Sequence, residues 1–170
     1  MVNKKIIFGF ILMLVFTSCK DKHLNLMNKF TGMWRLDKYE AFDSASNKCH
    51  DAPNRIGYSG YILYDGIGQM AVQLFPPGFK DVNTNKTLDS LNNIELRKIL
   101  KLYSTSFAYF ANCDISDDKN SIEHHIVSSN NPEDCGTTVK RDFEFRGDTL
   151  ILTAKELIGG FKVRLLWIRL

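Results

Sequence analysis

The stretch from Phe107 to Leu170 constrains this chain most. Five apolar-rich segments, FAYFANCDI, SIEHHIVSS, TTVKRDFEFR, DTLILTAKE and FKVRLLWIRL, are broken by SDDKN, NNPEDCG, RGD and IGG. Each break is rich in turn residues, so the segments read as a meander of short strands. Thr138, Lys140, Asp142 and Glu144 alternate with Val139, Arg141, Phe143 and Phe145. A period of two means one wet and one buried face. Arg141 falls on the buried face, where a charge needs a partner.

Further strands precede the meander. The first is expected from Phe30 to about Ala41, the second from Ile56 to Tyr64 and the third from Gln69 to Phe75. A long polar loop, Phe42 to Arg55, carries Cys49, and Pro76-Pro77-Gly78 ends the third strand because proline lacks the ladder donor. Between the third and fourth strands, Thr87 to Tyr103 predicts a helix. Leu96, Ile99, Leu100 and Tyr103 form its apolar stripe, and Asn93 caps its second half. That stripe suits a lid or plug on a barrel. Eight strands with hairpin connections predict an all-β, eight-stranded antiparallel up-and-down barrel with one helical segment between strands 3 and 4. Such an interior holds side chains or one small ligand.

Lys4 and Lys5 precede an apolar run, Ile6 to Phe16, that is too short to span a bilayer as a helix. Phe16-Thr17-Ser18-Cys19 then resembles a bacterial lipobox, with Phe16 where leucine is usual. The resemblance implies cleavage before Cys19 and lipid on that residue, an anchor stronger than a single acyl chain. The expected organisation is a signal peptide over 1–18, a tether over 19–29 and a barrel domain over 30–170. Lys20 follows Cys19. By analogy with lipoprotein sorting rules, that disfavours inner-membrane retention and points to an outer-membrane lipoprotein of the cell envelope.

The net charge of +3 includes Lys4 and Lys5, and the rest of the chain is close to neutral. No basic stripe for nucleic acid is present. The envelope permits disulfides. If the first strand runs from base to mouth, Cys49 and Cys135 share the mouth rim and are expected to bond, leaving Cys113 free. No Cys-x-x-Cys occurs. There is likewise no Gly-x-Ser-x-Gly, His-Glu-x-x-His, phosphate loop or dinucleotide fingerprint. No cofactor or metal is expected, and no enzyme signature emerges.

Gly32-x-Trp34 is similar to the Gly-x-Trp signature of lipocalins. A wider pattern supports it: Gly60-Tyr61-Ile62-Leu63-Tyr64-Asp65, Leu74-Phe75-Pro76-Pro77, Arg141-Asp142-Phe143, Gly147-Asp148-Thr149-Leu150 and Trp167-Ile168-Arg169. Together these resemble the bacterial and fungal lipocalin-like domain family over about Phe30 to Leu170. The resemblance implies a barrel with a cavity more than a reaction, and stacking of Arg169 on Trp34 at a closed base. Trp167 is then a core or closure residue.

His124 and His125 are adjacent on a strand and point to opposite faces. His124 shares the more apolar face with Ile122 and Ile126, and His125 reads as a surface residue. Arg141 is either a buried structural residue or the anchor for a ligand carboxylate or phenolate, which suits its planar fork. Tyr64, Gln73 and Tyr109 are candidate polar contacts. The expected function is a lipid-anchored, monomeric barrel for a small, largely apolar ligand. Two alternatives stand beside it. One is a structural or assembly lipoprotein with a filled barrel. The other is an isomerase or cyclase using His124 as acid/base and Arg141 to stabilise charge.

Overall fold

Nine strands follow the helical segment α1 (residues 25–30) in a computed structural model that describes residues 25–43, 48–52, 54–82, 86–116, 120–158 and 161–170. Cys19, the signal peptide and Asp117-Asp118 lie outside them. The strands are β1 (Gly32–Asp43), β2 (Lys48–Asp51), β3 (Ser59–Tyr64), β4 (Gln69–Phe75), β5 (Phe107–Ser116), β6 (Ser121–Ser129), β7 (Thr138–Arg146), β8 (Thr149–Ile158) and β9 (Phe161–Arg169). Each pairs antiparallel with its neighbour, and β1 pairs with β9 to close an eight-strand ring. The short β2 stands outside the ring on the far half of β1. It arises from the loop expected to be irregular. It also moves the helix α2 (Asn93–Thr105) to a place between β4 and β5 in the full count.

Alternation sets the interior. Ile62 and Tyr64 on β3, Met70, Val72 and Leu74 on β4, and Tyr109, Ala111 and Cys113 on β5 are buried, while their neighbours along each strand are less so. On β1 the parity changes once. A bulge between Leu36 and Lys38 shifts the register against β9, so Trp34 and Leu36 face in below it and Ala41 above it. Across the closing seam, Glu40 lies opposite Arg164 and accepts its hydrogen bond at 2.9 Å.

The base is closed by packing. Phe30, 1 % exposed at the end of α1, meets Tyr64, Phe143 and Phe145 edge-on at ring separations of 5.1, 5.0 and 5.0 Å. Such pairs add to burial because ring edges and faces carry opposite partial charge. The stretch expected to be tether therefore ends in structure, with Leu26 and Met27 packed on the core. Trp34 donates its indole N–H to the Phe30 carbonyl at 2.8 Å. The Arg169 guanidinium lies over the Trp34 ring at 4.1 Å. It donates to the carbonyls of Thr31, at 2.7 Å, and Lys29. Gly32 of the Gly-x-Trp motif has φ 119° and a position for Cβ 3.4 Å from Arg169 Nη1. A side chain there would be strained by its backbone, while Arg169 would meet it at ordinary contact distance.

The helix corrects two expectations. Its cap is Asn92, whose side chain accepts from the Ile94 and Glu95 amides while Glu95 reaches back, a capping box. Leu88–Ser90 is a separate 3₁₀ turn. No α2 residue is buried, so α2 sits at the rim and does not plug the barrel. Tyr103 reaches Phe79 at 5.4 Å, and the carbonyl of Thr105 accepts from Arg55 and Tyr58.

Gly60 marks a close approach of β3 to β4. A Cβ there would fall 2.2 Å from the Gln73 carbonyl oxygen and 2.7 Å from Leu74 Cδ2. Gly60→Ala is expected to cost about 1–3 kcal/mol through forced strand displacement. Urea unfolding checks this, and an unchanged midpoint would refute the clash.

Candidate functional site: the barrel mouth

Strand direction places β1 to run from base to mouth. The turns after β1, β4, β6 and β8 then lie at the mouth, where α2 also sits. A cavity of about 120 Å³ opens there, lined by Tyr39, Arg55, Tyr58, Leu74, Phe107, Arg141, Val163 and Leu165. Each ring strand among these uses an inward position. Tyr39 does so only because the bulge reverses the parity of β1. A rim groove of about 440 Å³ adjoins it between the end of α2 and the β6–β7 connection, and Arg55 and Phe107 line both.

The two arginines are held differently. Arg55 donates to the Tyr58 hydroxyl at 2.7 Å and the Thr105 carbonyl at 3.1 Å. Its guanidinium also lies 4.9 Å from the Tyr58 ring centre and 5.8 Å from that of Tyr39. Tyr58 in turn donates to Thr105, fastening the β2–β3 connection to the end of α2. Burial raises the Tyr39 hydroxyl pKa, and Arg55 and Arg141 oppose the rise. Arg141 is 9 % exposed. Among the described residues it makes one hydrogen bond, to the Lys140 carbonyl at 2.9 Å, and faces Glu156 at 3.8 Å. Glu156 is 58 % exposed, and 3.8 Å is beyond hydrogen-bond range.

Below the cavity the barrel is filled. Tyr109 stacks edge-on with Phe107 at 5.2 Å. Its hydroxyl lies 2.7 Å from His124 Nδ1, and the Tyr64 hydroxyl lies 3.1 Å from His124 Nε2. His124 is 1 % exposed. Burial first, then the Arg141 and His125 charges, push its pKa down to about 3, so the ring is neutral. Burial also holds both tyrosine hydroxyls above their usual range. A neutral imidazole has one N–H and one bare nitrogen. One tyrosine therefore donates to His124 and the other accepts. Both nitrogens are engaged, and a base this weak is ill suited to take a proton near neutrality.

The sequence-predicted residues divide accordingly. Tyr64, Tyr109, His124 and Arg141 face inward, but the first three form a buried network and only Arg141 lines the mouth cavity. Gln73 is exposed on the outer face of β4 and joins neither group. The expected Cys49–Cys135 bond is not formed: Cys49, Cys113 and Cys135 are all free. Both bond candidates do sit at the mouth end. However, β2 hangs on β1, and the β6–β7 turn lies on the opposite side of the ring. A shared rim therefore does not bring them to disulfide distance. Cys113 is buried, and burial pushes its thiol up to about 11, which leaves little thiolate. Trp167 is fully buried, as a core residue should be, with its indole N–H unpartnered among the described residues.

His125 points outward. It lies 2.9 Å from the Thr138 hydroxyl and 3.0 Å from Asp114, while Glu123 pairs with Lys140. The order resembles a nucleophile, base and acid. Asp114 is 82 % exposed, however, and water competes for each contact. Among the described residues no group of three or more metal-ligating side chains forms.

Residues missed by the sequence reading are Tyr39, Arg55, Tyr58 and Phe107. No curated protein shows significant similarity to the chain. Residues 31–164, which span β1 to part of β9 and so every strand of the ring, match the family described as lipocalin-like domain, and the chain belongs to that family.

Proposed function

We propose that this protein is a lipid-anchored binding barrel of the bacterial cell envelope that takes a small, largely apolar ligand at its mouth. A lipocalin-like barrel suggests ligand binding in general. The observation that carries the finer reading is the mouth cavity, with three aromatic and three aliphatic walls and a cationic side chain that is not saturated. Apolar walls with a few placed polar groups are the usual composition of ligand sites.

The anchor rests on the lipobox-like Phe16 to Cys19. Among the described residues no helix is long and apolar enough to cross a membrane. Cys19 precedes the start of the described chain at Asn25 by six residues, a reach of about 20 Å when extended. The chain enters at the base, so the mouth would face away from the anchoring bilayer. An outer-membrane position agrees with Lys20 after Cys19. The filled lower barrel favours a second reading, an envelope structural lipoprotein. Trp34, Tyr64, Phe30, Ile62, Met70 and Trp167 occupy that interior. The engaged, weakly basic His124 gives no support to the isomerase or cyclase alternative.

Native mass spectrometry of protein extracted from its own envelope in detergent tests both parts. The expected result is a chain beginning at lipid-modified Cys19 with a small adduct that is lost on denaturation. An unmodified amino terminus would remove the anchor. Bare protein that also binds no added aromatic or aliphatic probe would leave the filled-barrel reading.

A further inference from the structure

We propose that the mouth cavity is a site for a small organic acid, whose carboxylate is gripped by Arg141 while its apolar body lies against Tyr58, Phe107 and Leu165. The proposal rests on the mouth being a ligand site and adds the charge and size of the ligand.

Donor accounting gives the charge. A guanidinium offers five N–H donors. Arg141 spends one on the Lys140 carbonyl, and among the described residues no carboxylate lies within hydrogen-bond distance of it. Its side chain is 11 % exposed, so few waters can serve the other donors. A buried cation without a close partner is costly, and an anion that reaches it is held correspondingly well. Arg55 adds a second positive charge to the same wall but is already fixed by Tyr58 and Thr105. Both of these Arg55 bonds leave from Nη1, on the side of the rim groove, whereas Arg141 is the more deeply buried of the two and offers more open hydrogen-bond positions. A carboxylate fits that fork with two parallel bonds. Among the described residues Glu156 is the one acidic side chain paired with Arg141, at 3.8 Å from the solvent side. It acts as a weak internal competitor that the ligand displaces.

Volume gives the size. About 120 Å³ is a little less than the roughly 150 Å³ cavity that admits benzene. Phe107 of the cavity wall packs on the buried Tyr109 at 5.2 Å, and Tyr109 is tied to His124, so a long acyl chain would have to displace a packed interior to descend. The rim groove leaves room for a substituent on the side of Arg55 and Phe107. The ligand class is thus a single-ring or short branched carboxylic acid.

Calorimetric titration of the mature full-length chain in detergent, with benzoate and its neutral isostere benzamide as probes, tests this. Benzoate is expected to bind at least about tenfold tighter than benzamide, because hydrogen bonds to a charged group are the strong ones. Arg141→Gln should erase that preference and leave benzamide binding within about threefold. Glu156→Gln alters only an exposed side chain and should strengthen benzoate by about threefold, the scale of an exposed ion pair. It serves as the independent readout if Arg141→Gln fails to fold. Equal binding of benzoate and benzamide, or no response of benzoate to Glu156→Gln, would overturn the acid site while leaving a ligand-binding mouth. Binding of neither probe to the unaltered protein would overturn the mouth as a ligand site and the acid proposal with it.

Discussion

Trp34→Ala is expected to destabilise the barrel by about 3–5 kcal/mol, the range for removing a large aromatic side chain from a core. Three losses coincide. The indole is 0 % exposed, so its removal leaves a cavity at the base. Its N–H is the donor to the Phe30 carbonyl at 2.8 Å, and that carbonyl joins the helical segment to β1. Its face supports the Arg169 guanidinium at 4.1 Å, which among the described residues otherwise keeps its carbonyl bonds to Thr31 and Lys29. Since domains of this size are stable by about 5–15 kcal/mol, the variant should sit near the edge of folding. Trp34→Phe, which retains much of the volume but not the N–H, should cost about 1–3 kcal/mol. Urea unfolding of both variants separates packing from the hydrogen bond. A loss below about 1 kcal/mol for Trp34→Ala would mean that Phe30 alone closes the base.

At the base, the meeting of Trp34 and Arg169 was legible from strand direction and their stacking was implied by the lipocalin resemblance, whereas the closing segment that ends at Phe30 was expected to be tether. Trp34 and Arg169 begin and end an even-stranded meander, so they meet, and the register pairs them directly. Parity also placed His124 and Arg141 inside. The same rule would have excluded Gln73, since Met70, Val72 and Leu74 fix the inward set of β4. The mouth was not legible in this way. Parity carried from Trp34 along β1 puts Lys38 and Glu40 inward, and the bulge after Leu36 brings in Tyr39 and Ala41 instead. A bulge adds one residue without a distinctive sequence sign. Arg55 and Tyr58 come from a connection whose path depends on β2, a strand of four residues inside a polar stretch. Cys49 and Cys135 show a different limit. Strand direction fixes which end of a barrel a turn occupies, but not its position around the ring. That position comes from counting neighbours in the closed order, and β1 and the β6–β7 turn are far apart in it.

The buried His124 should make folding stability fall steeply on mild acidification. Its pKa in the folded protein is about 3, against 6.5 for the free side chain. Between these values the unfolded chain binds a proton that the folded chain does not. The stabilisation is therefore fully present above about pH 6.5 and is lost as pH falls toward 3, with a slope of about 1.4 kcal/mol per pH unit. From pH 6.5 to roughly pH 4 the expected loss is about 3 kcal/mol. The cause is physical enclosure: Tyr64 and Tyr109 occupy both nitrogens, and Arg141 adds a like charge within electrostatic reach. The surface carboxylates of Glu95, Glu123 and Glu144 are lowered by hydrogen bonds from Lys86, Lys140 and Arg146, so their contributions fade only below the ordinary carboxylate range. The upper part of the acid window is then left to His124 among the groups whose pKa values are displaced. His124→Gln is the informative variant, because an amide can donate to one tyrosine and accept from the other without titrating. It should be less stable than the parent near pH 7, yet its stability should change little between pH 6.5 and about pH 4.5. Urea midpoints across that range decide the matter. Parallel pH profiles for the two proteins would mean that the folded barrel accommodates a charged His124, and with it that the Tyr64–His124–Tyr109 core is wetter and looser than its hydrogen bonds imply.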